Sequence, residues 1–162
     1  MTGQRASGRG IIAATLVIAM WLSVMPLPEW ARWARPEWVA LVMIYWVIAL
    51  PQRVGIGVAF CTGLLLDLVE GSPLGENAFA LAVIAYLGLV LYQRMRMYAP
   101  WQQAGIVFVL IGLNQLLCHW VQTLVTHVKP TMMFLLPALV SALLWPTLFR
   151  LLRGIRRQFA VT

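Results

Sequence analysis

The chain has 162 residues, of which 62% are hydrophobic and only 10% are charged, and its formal net charge is +7. Soluble domains carry about 25% charged residues, so this composition excludes a soluble protein and indicates an integral membrane protein. The basic residues flank apolar runs instead of covering a soluble surface, which argues against nucleic acid as a partner. No segment between the apolar runs is long enough to form a separate soluble domain.

Six apolar segments predict six transmembrane helices in a single membrane domain, 1–162. They lie at about residues 10–25, 36–50, 54–69, 77–92, 101–128 and 131–152. Residues 1–10 are polar, basic and too short to fold, and no small-x-small cleavage pattern follows the first run. We therefore expect an uncleaved first span. The second segment is short for a hydrocarbon layer of about 30 Å, so its helix either continues past Pro51 or lies where the bilayer is thinned.

Single residues predict where some helices begin or bend. Asn77 can cap the fourth helix, and Pro137 and Pro146 are expected to kink the sixth. Cys61 and Cys118 both fall within predicted spans, so we expect two reduced packing residues and no disulfide.

The placement of basic residues predicts the orientation of the helices. With six spans and a cytoplasmic N-terminus, the cytoplasmic side holds Arg5, Arg9, Arg53, Arg94, Arg96, Arg150, Arg153, Arg156 and Arg157. The outer side holds Arg32, Arg35 and Lys129. This excess follows the positive-inside rule, so both termini are expected in the cytoplasm.

The last segment ends in four arginines: Arg150, Arg153, Arg156 and Arg157. We expect them to anchor the final helix to anionic membrane lipid, at about 1 kcal/mol for each charge. Binding of a cytoplasmic protein is the alternative.

The third segment carries Asp67, the only acidic residue inside an apolar run. Small residues recur with it at intervals of four: Gly63, Asp67, Gly71 and Gly75. A carboxylate in lipid is costly, so Asp67 should face the bundle, and we expect Arg32 or Arg35 to pair with it. A structural or partner-contacting position and a proton or ligand site both stay open. The small residues suit either packing within the chain or docking of a partner's helix.

The fifth segment carries a polar stripe, Gln115, His119 and Gln122, at spacings of four and three that place these residues on one helix face. We favour hydrogen bonding between helices, at about 1 kcal/mol or less per bond, over a cavity or a partner site. His119 has no set of metal ligands beside it, so no metal site is expected. The common hydrolase and phosphate-binding motifs are absent from the sequence, and we expect neither enzyme activity nor a cofactor.

Several fragments, in order over nearly the whole chain, match a known family. They are Arg35-Pro36-x-Trp38, Tyr45-Trp46-x-x-Ala49-Leu50-Pro51-x-Arg53-Val54, Gly63-x-x-x-Asp67-x-x-x-Gly71-Ser72-x-x-Gly75, Trp101-Gln102-Gln103, Leu144-Trp145-Pro146 and Arg157-Gln158-Phe159-Ala160-Val161. The sequence resembles the proteobacterial form of the rod shape-determining MreD family.

The resemblance implies a small inner-membrane protein of the machinery that elongates peptidoglycan. Its implied partners are MreC, the MreB filament, RodZ, the glycosyltransferase RodA and a class B penicillin-binding transpeptidase. Family members are similar to the six-helix substrate-binding subunits of energy-coupling-factor transporters, although a shared fold does not assign a function. No catalytic residue carries over, and Arg35, Pro36 and the Gly63 to Gly75 motif carry over as structural or interface positions.

The residues and the resemblance together predict an all-α bundle of six transmembrane helices in the bacterial inner membrane. The predicted function is a non-catalytic scaffold that binds MreC and helps control peptidoglycan synthesis and rod cell shape. The alternative is a small-molecule-binding or transporter-type subunit with a polar pocket near His119 and Gln122. An intramembrane enzyme would need a second ionisable residue close to Asp67.

Overall fold

The computed structural model describes residues 2–127, 129 and 131–161, and every regular element among them is a helix. The α-helices are α1 (Thr2–Val24), α2 (Glu29–Arg32), α3 (Trp38–Ala49), α4 (Ile56–Glu70), α5 (Glu76–Met97), α6 (Pro100–Thr126) and α7 (Leu136–Gln158). A short 3-10 helix, Met132–Leu135, leads into α7. The prediction of an all-helical protein is confirmed.

Within the described part of the chain, three helical stretches are long and apolar enough to cross a membrane: Glu76–Met97, Pro100–Thr126 and Met132–Gln158. Gly8–Val24 and Trp38–Ala49 are apolar but shorter. Stretches of this length and composition make the chain a transmembrane protein.

Helix α3 forms the centre of the bundle, and each of its residues from Val39 to Ala49 is buried. Helices α1, α5, α6 and α7 all contact it. Its 12 residues extend only about 18 Å, and it ends at Ala49, so of the two predicted alternatives the continuation past Pro51 is excluded. A helix that is apolar on all sides is typical of burial within protein, and here the other helices surround α3.

Three further predictions about helix ends are corrected. Helix α1 begins at Thr2, so residues 2–10, which were expected not to fold, are helical. Asn77 lies inside the first turn of α5, which Gly75 precedes as the N-cap residue. Pro137 lies in the first turn of α7, where its missing N–H costs nothing, so only Pro146 lies in the helix interior. The predicted end of the fifth span at Val128 falls outside the described residues.

The helices alternate in direction and gather opposite charges at the two ends of the bundle. At one end, the Arg96 Nε and Nη2 groups donate to the Ile48 and Ala49 carbonyls, over 3.0 and 2.9 Å. We call this the basic end, which also holds Arg53, Arg153 and Arg156. At the other end, the Glu37 N–H donates to Ser141 Oγ over 2.9 Å. We call this the acidic end, which also holds Asp67, Glu70 and Glu76.

Candidate functional site

Asp67 lies in the last turn of α4 and is 1% exposed. Its Oδ1 accepts hydrogen bonds from Ser72 Oγ and from the backbone N–H and Nδ2 of Asn77, all over 2.9 Å. Its Oδ2 accepts from the Gly75 N–H over 2.9 Å and from the Ala78 N–H over 3.4 Å. The first N–H groups of a helix have no partner within that helix. Asp67 therefore caps α5 from the neighbouring helix, with its charge at the positive end of the helix dipole.

Gly63, one turn before Asp67, lets the backbones of α4 and α5 approach closely. A Cβ atom added at Gly63 would lie 2.5 Å from Ala78 N and 2.6 Å from Asn77 O. Both are backbone atoms, which cannot yield without a shift of α5. The glycine thus brings the start of α5 within reach of the Asp67 carboxylate.

Gly71 and Gly75 shape the turn between the two helices. Both adopt left-handed backbone conformations, with φ of 70° and 98°, which glycine reaches without steric cost. The N–H groups of Gly71 and Ser72 both donate to the Asp67 carbonyl, and these bonds end α4. The four motif residues therefore build one structure, which we call the α4–α5 joint: Gly63, Asp67, Gly71 and Gly75.

Arg35 and Pro36 lie in the segment before α3, apart from the α4–α5 joint. The Arg35 Nη2 donates to the Met25 carbonyl over 2.8 Å, which fixes this segment to the chain just after α1. The expectation that an arginine of this loop pairs with Asp67 is wrong. Neutral donors on the turn and on α5 satisfy that carboxylate instead.

Two members of the polar stripe on α6 donate hydrogen bonds to carboxylates at the starts of other helices. Gln115 Nε2 donates to Glu37 Oε1, directly before α3. Gln122 Nε2 donates to Glu76 Oε1, in the first turn of α5, over 2.7 Å. Glu76 is 3% exposed, and Glu37 is partly buried. These contacts hold α6 against α3 and α5 at the acidic end.

Replacing Gln115 by leucine removes the donor that Glu37 Oε1 uses. We expect the free energy of unfolding to fall by about 1–2 kcal/mol, because a partly buried carboxylate oxygen then lacks its partner. Thermal unfolding of the purified protein in detergent measures the change. Gln93→Leu, at an exposed position on α5, is the matched control and should have little effect. Equal losses of unfolding free energy in Gln115→Leu and Gln93→Leu would contradict a stabilising hydrogen bond between Gln115 and Glu37.

His119 lies between these two glutamines and stacks on Phe134, with ring centroids 5.8 Å apart and planes inclined by 9°. Three buried polar atoms in this region have no hydrogen-bond partner among the described residues: Glu76 Oε2, Asn114 Oδ1 and His119 Nε2. In the described part of the chain, no group of three His, Cys, Asp or Glu side chains is placed to hold a metal ion. Chemically, each of these atoms can accept a hydrogen bond from water or from a small polar molecule.

Sequence reasoning did not assign Glu37 and Glu76 to the site. The available signal was their position directly before apolar runs. A carboxylate there suits the positive end of a helix dipole and can be drawn into the bundle with the helix.

The four basic residues near the C-terminus belong to α7 itself: Arg150, Arg153, Arg156 and Arg157. Arg150 donates from Nε to the Pro146 carbonyl of its own helix over 3.2 Å. Arg153 and Arg156 line a cavity at the basic end. The four arginines therefore have different surroundings, although they are adjacent in sequence.

The chain is similar to known proteins over most of its length. A family model described as rod shape-determining protein MreD matches residues 4–155. The rod shape-determining protein MreD of Haemophilus influenzae is 35% identical over 147 residues, which cover 91% of this chain and 91% of that protein. No solved structure matches the chain. The range matched by the family model contains the whole α4–α5 joint and the polar stripe.

Proposed function

The chain belongs to the MreD family of rod shape-determining proteins, and on that premise we propose that it is a non-catalytic membrane scaffold of the cell-elongation complex. Family membership implies a role in determining rod shape and a place in a bacterial membrane. The proposed scaffold binds an MreC-like bitopic protein and helps control peptidoglycan synthesis. The single observation that carries this proposal is the family match over residues 4–155 of a 162-residue chain.

We place the protein in the inner membrane as a multi-pass protein, with α1 and α3 to α7 as six spans and both termini in the cytoplasm. Two features support this topology. Successive helices run in opposite directions, and arginines gather at one end of the bundle while carboxylates gather at the other. The basic end is then the cytoplasmic end, as the positive-inside rule requires.

The motif residues have structural roles in this proposal. The α4–α5 joint fixes one helix pair, and the polar stripe holds α6 to its neighbours. Arg35 and Pro36 shape the entry to α3. The supporting observation is that these groups contact other parts of the same chain. MreB, RodZ, RodA and a class B penicillin-binding transpeptidase are the proposed members of the wider complex.

One observation favours a second candidate, a small-molecule-binding or transporter-type subunit. Glu76 Oε2, at the start of α5, and Asn114 Oδ1 and His119 Nε2, on α6, are buried without a hydrogen-bond partner among the described residues. Buried polar groups normally have partners, so a small polar ligand at this place would satisfy them. This second candidate function predicts that a metabolite stays bound to the protein during purification.

Co-purification of the tagged full chain from native membranes, in mild detergent, tests the two candidates together. Mass spectrometry of the proteins and small molecules should show an MreC-like bitopic protein in stoichiometric amount, with wall synthases beside it. The variant His119→Phe removes one orphaned polar atom and should retain the same complex. A protein that elutes alone, with a metabolite that His119→Phe loses, contradicts the scaffold.

A further inference from the structure

A cavity of about 380 Å³ lies at the basic end between α3, α5, α6 and α7. Arg96 of α5 and Arg153 and Arg156 of α7 line it. Tyr45 of α3, which is 2% exposed, also contributes to the lining. Three guanidinium groups from two helices therefore share one concave site.

Among the described residues, no acidic side chain lines the cavity beside these three positive charges. All five acidic residues of the chain are elsewhere: Glu29, Glu37, Asp67, Glu70 and Glu76. Arg96 donates to two carbonyls at the end of α3, and Arg156 Nε donates to the Val161 carbonyl over 3.4 Å. Each guanidinium carries five N–H donors, so donors on both residues stay available. The cavity has a strong excess of positive charge and suits an anion.

The surroundings of the cavity place it at the depth of lipid headgroups. Pro100 lines the cavity, and the next residue, Trp101, is 71% exposed. Tyr98, another lining residue, is also exposed. Exposed tryptophan and tyrosine side chains at the end of an apolar helix are typical of the membrane interface. The wall of Ile48 and Phe149 adds apolar surface next to the arginines.

We propose that this cavity binds the phosphate group of an anionic phospholipid. The Arg153 and Arg156 guanidinium groups donate to the phosphate oxygens, and Arg96 and Tyr45 complete the site. Arginine suits this role because its planar fork can donate two parallel hydrogen bonds to a phosphate. Basic pockets between helices on the cytoplasmic side are a known mode of headgroup recognition. The inference goes beyond the scaffold function, since it concerns a lipid and assigns different roles to neighbouring arginines.

Binding of phosphatidylglycerol to the purified full chain, measured by native mass spectrometry in detergent, tests the site. The double variant R153Q/R156Q should weaken binding about 10- to 30-fold, from about 1 kcal/mol for each charge. The matched control R94Q/R150Q removes two arginines of the same end that do not line the cavity, and it should weaken binding clearly less than R153Q/R156Q does. Equal weakening by both double variants would show general surface attraction and overturn the proposal.

Other probes separate a lipid from other anions. Phosphatidylcholine carries the same phosphate without net charge and should bind the wild-type protein much more weakly than phosphatidylglycerol. Comparable binding of these two lipids, or inorganic phosphate binding as tightly as phosphatidylglycerol, would overturn an anionic-lipid site. Loss of poly-glutamate binding in R153Q/R156Q, with lipid binding intact, would instead assign the cavity to an acidic protein segment.

The variant R153K/R156K keeps both charges and controls for damage to the fold. It should retain more phosphatidylglycerol than R153Q/R156Q because lysine keeps the positive charge, although lysine lacks the planar fork of arginine. Loss as complete as in the glutamine variant, in protein that stays monodisperse, would overturn an electrostatic site.

Discussion

Replacing Asp67 by alanine should prevent most of the protein from reaching its folded state. The substitution removes the acceptor that the partly buried donors of Ser72 and Gly75 and the buried backbone N–H of Asn77 use. A hydrogen bond to a charged group contributes about 1.5–3 kcal/mol, so losing several approaches the whole stability of a typical domain, about 5–15 kcal/mol. Size-exclusion chromatography and thermal unfolding in detergent measure the outcome.

Two milder variants calibrate this prediction. Asp67→Asn keeps one acceptor oxygen but turns an amide NH2 group toward backbone N–H donors. Its loss of stability should therefore lie between those of Ser72→Ala and Asp67→Ala. Ser72→Ala removes a single donor to this carboxylate and should cost about 1.5–3 kcal/mol. An Asp67→Ala protein that unfolds within about 1 kcal/mol of the wild type would show that the cap contributes little.

Replacing Gly63 by leucine should separate α4 from α5 and disrupt the bundle. Even a Cβ atom at this position would overlap backbone atoms of Asn77 and Ala78. A shift of α5 would also draw its first turn away from Asp67, so the clash and the lost cap act together. We expect a destabilisation of more than about 3 kcal/mol, at the upper end of single-residue effects.

Gly57→Leu is the matched control on the same helix. A Cβ atom at Gly57 meets nothing within 4 Å, so this variant should fold and insert like the wild type. Gly63→Ala should show a smaller loss than Gly63→Leu, in the same direction. Wild-type thermal unfolding of Gly63→Leu would contradict the close approach of α4 and α5. The same measurement separates a packing role for Gly63 from a role in partner docking.

The composition and the apolar runs predict the helical membrane fold because these signals are local. The enclosure of α3 was harder to predict, since a 12-residue apolar run reads equally well as a short span in lipid. Its apolar residues on every face were the available clue. Which helices surround α3 depends on packing between distant segments, and no periodicity in one segment encodes that.

The candidate site was predictable in its residues and much less so in its contacts. A lone carboxylate among glycines indicated that Asp67 is buried. Its donors lie 5–11 residues further along, in a turn whose shape depends on Gly71 and Gly75. The bond between Gln115 and Glu37 joins residues 78 positions apart, so only the folded bundle brings them together.

The capping of α5 by Asp67 also bears on how the protein is made. An isolated α4 would carry the Asp67 carboxylate into the bilayer without hydrogen-bond donors. The free-energy cost of inserting an aspartate is about 2.5–3.5 kcal/mol when the residue lies at the centre of the bilayer. An isolated α5 would carry unpaired N–H groups at its start. Each helix supplies what the other lacks within a single tight turn. On the proposed six-span topology, the lowest-cost unit of membrane insertion during biosynthesis is therefore the hairpin of α4 and α5, entering the bilayer together.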